Sequence, residues 1–170
     1  TTASAMSTTG SVYQFKVALR DTRPAVWRRV AVPGDITLAS LHAVLQVAMG
    51  WTHSHLHRFD VADVAYGRPL PDLQDELPME DDRTTELDRV ILARKGAHFT
   101  YTYDFGDDWV HDLVVEEVAP PEAGVSYPCV LDGARACPPE DVGGTPGYEN
   151  FLHAIRDRKH PEHEDMMEWI

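Results

Sequence analysis

Residues 101–111 read YTYDFGDDWVH. Phe99, Tyr101 and Tyr103 share one face of an extended run; the chain then breaks at a glycine among aspartates, and Trp109, His111, Leu113 and Val115 resume with a common parity. Strand side chains alternate with period two, and an odd loop of Phe105, Gly106 and Asp107 puts both sets on one side of a β-hairpin. The segment therefore predicts an aromatic core wall, an acidic turn, and His111 beside Tyr101 at the wall's edge. Asp and Gly favour turns because the short carboxylate bonds its own backbone, so DFGDD is explained by turn geometry before any catalysis is invoked. The triplet DFG has no glycine-rich phosphate loop, strand lysine or HRD block to accompany it, which excludes a kinase.

Working outward, VYQFKVAL from Val12 alternates and VWRRVAV from Val26 is rich in β-branched residues, so two antiparallel strands joined through RDTRPA are expected. Thr37 is placed to cap a helix whose apolar stripe is Leu38, Leu41, Leu45, Ala48 and Met49, with Gly50 to end it. HSHLHRFDV reads as a strand with His53, His55, His57 and Phe59 on one face. Residues 66–88 are proline-rich and acidic and read as a long surface connection, of the kind that serves as a lid, with a helical turn near Thr84–Leu87. YPCVLDGARACPPEDVGGTPGYENF is dense in Pro and Gly and reads as a loop; a helical C-terminal part follows from about residue 146, with Pro161 just inside a final helix start. Strands early and helices late predict an α+β fold, a mainly antiparallel sheet packed by a few helices in a single domain over residues 11–170. Residues 1–10 are polar and read as a disordered leader or an artificial remnant.

Charge and length narrow the function. The 170-residue chain carries 15 Lys plus Arg against 28 Asp plus Glu, a net charge of −13, whose field repels nucleic-acid phosphates and anionic lipid. Direct nucleic-acid binding is disfavoured: the one basic cluster is Arg20, Arg23, Arg28 and Arg29 around Trp27, and strand arginines usually pair with acids. No apolar run approaches the ~20 residues of a membrane span. With no secretory signal and two cysteines, Cys129 and Cys137, that suit reduced thiols, the expected location is cytoplasmic.

The chemistry-bearing residues fall in four places. His55 and His57, with Asp104 and His111 from the hairpin, are candidate ligands for a divalent metal ion, although no complete ligand motif accompanies them. Their bland alternative is a polar edge strand. Tyr101, Tyr103, Asp107, Asp108, Trp109, Glu140 and Asp141 are candidate ligand-pocket residues, the last two held in the rigid Pro/Gly frame of PPEDVGG, whose alternative is a tight loop. His42, on the apolar helix stripe, is expected to be a hydrogen-bonded core histidine. His160 and His163 belong to a solvated helix start.

The succession TLASLHAVLQVAMGWTHSHLHRF, FTYTYDFGDDWVHDLVVE, YPCVLDGARACPPEDVGG, GYENFLHAI and HPEHEDMMEW resembles the plasmid-Ri open-reading-frame-three-like family, also described as passenger proteins of insertion elements. The resemblance implies an α+β fold and a link to plasmids and transposons, and no particular reaction. No nucleophilic serine in an arginine-rich setting supports a recombinase. Many relatives carry a cysteine where Val142 stands, and its loss weakens a structural-zinc reading of Cys129 and Cys137. Two functions fit: a cytoplasmic binding or interaction module of mobile-element type, with a protein or small-molecule partner, or a metal-dependent hydrolase with Asp108 or Glu140 as base.

Overall fold

Eight strands form one sheet in the order β5-β4-β3-β6-β7-β1-β2-β8 in a computed structural model that describes residues 10–169. The strands are β1 (Val12–Leu19), β2 (Trp27–Pro33), β3 (His57–Val61), β4 (Val64–Gly67), β5 (Glu80–Asp81), β6 (His98–Tyr103), β7 (Trp109–Ala119) and β8 (Cys129–Ala134). All neighbours pair antiparallel except β4 with β5. Four helices accompany them: α1 (Leu38–Met49), α2 (Leu87–Val90), α3 (Gly144–Arg156) and α4 (His163–Met167). The expected α+β architecture stands, while the leader expected over residues 1–10 lies, apart from Gly10, outside the described residues.

The hairpin sets the geometry. Tyr101 pairs with His111 and Tyr103 with Trp109, the register that the parity of the sequence requires. The loop is two residues longer than expected because Asp104 and Asp108 both take left-handed backbone, with φ of 63° and 58°, and leave the ladder. Across the sheet, Phe59 pairs with Tyr101, and Leu19 with His111, so one aromatic face runs through four strands. Phe15, Phe59, Phe99, Tyr101, Tyr103, Trp109, Leu113 and Val115 are all buried on it. His111 is not at an edge; it is fully buried in the middle of the face.

α1 covers that face with Leu38, Leu41, Leu45 and Met49. Its start is capped by Thr37, whose side chain accepts from the Ser40 N–H at 3.1 Å, and Gly50 ends it at φ 92°. The opposite face of the sheet carries Arg20 and Arg29 in paired form, with Asp112 at 2.6 Å and with Glu116 at 2.7 Å. Arg28 instead faces α1 and donates to the Ala48 and Ala134 carbonyls, and Arg23 has no acid partner among the described residues.

Several segments differ from expectation. The histidine segment is strand only from His57, because the amide hydrogens ahead of it are taken by side chains: Thr52 donates to Glu140 at 2.8 Å, His53 to Gln46 at 2.8 Å, and Ser54 to Tyr103 at 3.0 Å. His53, at φ 58°, and His55 therefore sit on a loop and do not share a strand face with His57. β5 and the end of β4 lie inside the 66–88 connection expected to be loop, and β8 lies inside the expected Pro/Gly loop. β8 holds Asp132 and Gly133, poor strand formers, yet the free edge of β2 pairs with it over Cys129–Ala134; available pairing overrides local propensity. The helical turn expected near residues 84–87 starts later, at Leu87, and α3 starts at Gly144, close to the expected residue 146.

Candidate functional site

Three loops meet at the hairpin tip. The Asp104 side chain, 9% exposed, uses Oδ1 to accept from the N–H groups of Gly106 (3.0 Å) and Asp107 (3.3 Å), the self-bonding that makes aspartate a turn residue. That leaves Oδ2 facing His55, 3.5 Å from Nε2. The Asp104 N–H donates to the Leu56 carbonyl at 2.9 Å, fastening the histidine loop to the turn. The PPED segment closes the third side: Glu140 Oε1 accepts from the Thr52 N–H, the Thr52 hydroxyl (3.0 Å) and the Tyr103 hydroxyl (3.1 Å). Asp107 Oδ2 accepts from the Gly143 N–H at 3.1 Å, tying turn to loop.

His55 Nε2 is thus surrounded by carboxylate oxygen: Asp141 Oδ1 at 2.8 Å, Asp104 Oδ2 at 3.5 Å and Glu140 Oε2 at 3.8 Å. The atom is shielded from solvent, yet none of these contacts has hydrogen-bond geometry. Short distance without alignment is a weak hydrogen bond. The donor atoms of His55, Asp104 and Asp141 all lie within 4.8 Å of one another, a spacing that can hold a metal ion. Nitrogen with carboxylate oxygen suits a first-row divalent ion.

The other candidate ligands go elsewhere. His57 Nε2 lies 2.6 Å from Asp82 Oδ2, a carboxylate whose side chain is 2% exposed. The His57 ring stacks on His42 with centroids 3.6 Å apart. Gln46 Nε2 donates to the Tyr101 hydroxyl at 2.8 Å, so that hydroxyl is free to donate to His42 Nδ1 at 2.6 Å. This assigns a neutral His42, and burial together with the neighbouring His57 pushes its pKa down to about 3. His42 is hydrogen-bonded as its position suggested, but it is half-buried beside the core rather than within it. His111 has both nitrogens engaged: Nε2 accepts from Trp51 Nε1 at 3.2 Å, and Nδ1 lies 2.9 Å from the Tyr101 carbonyl. Burial lowers its pKa to about 4, and it has no lone pair left for an ion.

Of the candidate pocket residues, Tyr103, Asp107, Glu140 and Asp141 belong to the cluster around His55, Tyr101 and Trp109 are core, and Asp108 is exposed on the turn. Burial also raises the Tyr101 and Tyr103 hydroxyl pKa values, keeping both protonated as donors. Asp82 and Thr52 were not singled out in the sequence. Asp82 stands among the acids of MEDDRT with nothing local to distinguish it, and its role depends on β5 reaching the sheet.

Fold and site together define a single-sheet α+β protein with an acid–imidazole cluster at the tip of its central hairpin. The chain belongs to the plasmid pRiA4b ORF-3-like protein family, whose sequence model matches residues 11–170. It is 43% identical over 159 residues to the uncharacterized protein y4hQ of Sinorhizobium fredii (strain NBRC 101917 / NGR234), covering 94% of this chain and 80% of that protein. The crystal structure of a protein of unknown function, MM3350 from Methanosarcina mazei Go1, is similar, with a TM-score of 0.84 and 34% identity over 94% of this chain and 89% of that one. Among the described residues, no helix is long and apolar enough to cross a membrane.

Proposed function

We propose that the protein is a cytoplasmic binding module of mobile-element type whose acid–imidazole cluster takes a divalent cation on His55, Asp104 and Asp141, with Glu140 closing the ring. The observation that carries this reading is the environment of His55 Nε2, buried without a hydrogen bond among three carboxylates. Buried polar atoms are nearly always satisfied, and like charges packed together raise their own free energy; a cation between them answers both costs. Three protein donors leave coordination positions for a partner's oxygen or for water. The same open positions would serve a metal-dependent hydrolase. The binding reading leads because Glu140, a natural base, is already held by Thr52 and Tyr103.

The test is elemental mass spectrometry of protein purified without chelators or nickel resin, followed by calorimetric titration with zinc and manganese. Near-stoichiometric binding is expected, with His55→Ala and Asp141→Asn each weakening it at least about tenfold, the usual scale for losing part of a metal site. His57→Ala should leave the affinity unchanged. Metal at background levels and no saturable titration would end the reading.

A further inference from the structure

A pocket lies away from the hairpin tip, between the β1–β2 connection, the end of β8 and one side of α3. Its volume is about 340 Å³, within the range of ~300–1,000 Å³ for small-molecule sites. Arg23, Arg135 and Arg156 converge on it from three different segments, against two carboxylates, Asp21 and Glu149. Among the described residues, none of the three guanidiniums forms an ion pair. The pocket therefore carries a net positive charge in a chain at −13.

Its frame is fixed. Thr22 is buried at the base, its hydroxyl donating to the Leu19 carbonyl at 2.8 Å and accepting from the Val26 N–H at 2.9 Å, so it is spent on structure. Arg135 is anchored through one nitrogen, Nη1, which donates to the Ala25 carbonyl at 3.0 Å, leaving the rest of its fork to donate elsewhere. Tyr148 and Leu152 from α3 supply an apolar wall beside the charges.

We infer that this pocket binds a small organic oxyanion, a phosphate or carboxylate head on an apolar or aromatic body. Planar guanidinium forks match both heads in paired hydrogen bonds, and the wall accommodates the body. The inference is independent of the cation reading, since no residue of one site lines the other.

Phenyl phosphate, benzoate and inorganic phosphate are the probes, titrated into the full chain and followed by calorimetry and by NMR shifts at Thr145 and Tyr148. Saturable binding is expected, with the better aromatic oxyanion at least about tenfold tighter than inorganic phosphate, and with an Arg135→Ala/Arg156→Ala variant losing at least about tenfold in affinity, some 1.4 kcal/mol. A preference for phenyl phosphate or for benzoate identifies the head. An Arg94→Ala control, away from the pocket, should bind normally, and thermal melts should show both variants folded, as their exposed side chains predict. No saturable binding of any probe, unchanged affinity in the double variant, or binding of duplex DNA alone with steep salt dependence would each overturn the inference.

Discussion

His111 links burial to acid sensitivity. Its pKa falls from 6.5 to about 4 because the charged ring would sit in the core. The unfolded chain therefore takes up the proton first on acidification, so the neutral ring's contribution is complete above about pH 6.5 and is lost as the pH falls toward 4. Between pH 7.5 and 4.5 this one group should remove about 2–3 kcal/mol. His42, stacked on His57 and neutral to about pH 3, adds in the same direction. Urea midpoints at the two pH values should differ less in His111→Gln than in the unsubstituted protein; equal pH dependence in both would mean the ring is not held neutral. At this scale the sequence was informative about His42 and partly about the acid–imidazole cluster. His55, Asp104, Glu140 and Asp141 were each visible as candidates, but their grouping was not, since His57 and His111 looked equally available until their nitrogens were seen to be engaged.

The β6–β7 hairpin is the element on which everything is hung. Trp109 is 1% exposed and packs on Trp51 with ring centroids 5.5 Å apart. Trp109→Ala should cost about 3–5 kcal/mol in chemical denaturation, the range for a large buried aromatic; little or no loss would mean that the indole is a replaceable surface. The junction between the PPED segment and α3 depends on Gly144, at φ 69°, where a Cβ would stand 2.7 Å from the Asp107 carbonyl oxygen. Gly144→Ala should destabilise by ~1–3 kcal/mol through backbone strain and displacement of the turn. It should also weaken cation binding without removing a ligand, which calorimetry on the folded variant would detect. The hairpin was legible because alternation, turn residues and register are all local; β8 was not, because its pairing with β2 joins residues about a hundred positions apart.

For the whole molecule, an excess of 13 negative charges makes cations the natural stabilising ligands. If the cluster binds a divalent ion, an ion at a hundred times its dissociation constant should add about 2.7 kcal/mol to the folded state and raise the melting temperature by roughly 5–10 °C. The rise should vanish in His55→Ala and persist in His57→Ala; an equal rise in both would indicate diffuse charge screening. The amino-acid sequence by itself determined the fold class, the α1 helix with its caps, the hairpin register and the family, because these follow from periodicity, capping chemistry and linear motif order. Only the tertiary structure decided which acids face which histidine. The mutual placement of the 52–56, 104–108 and 140–143 loops is set by long-range hydrogen bonds, Glu140 to Thr52 and Asp107 to Gly143, which no local pattern encodes.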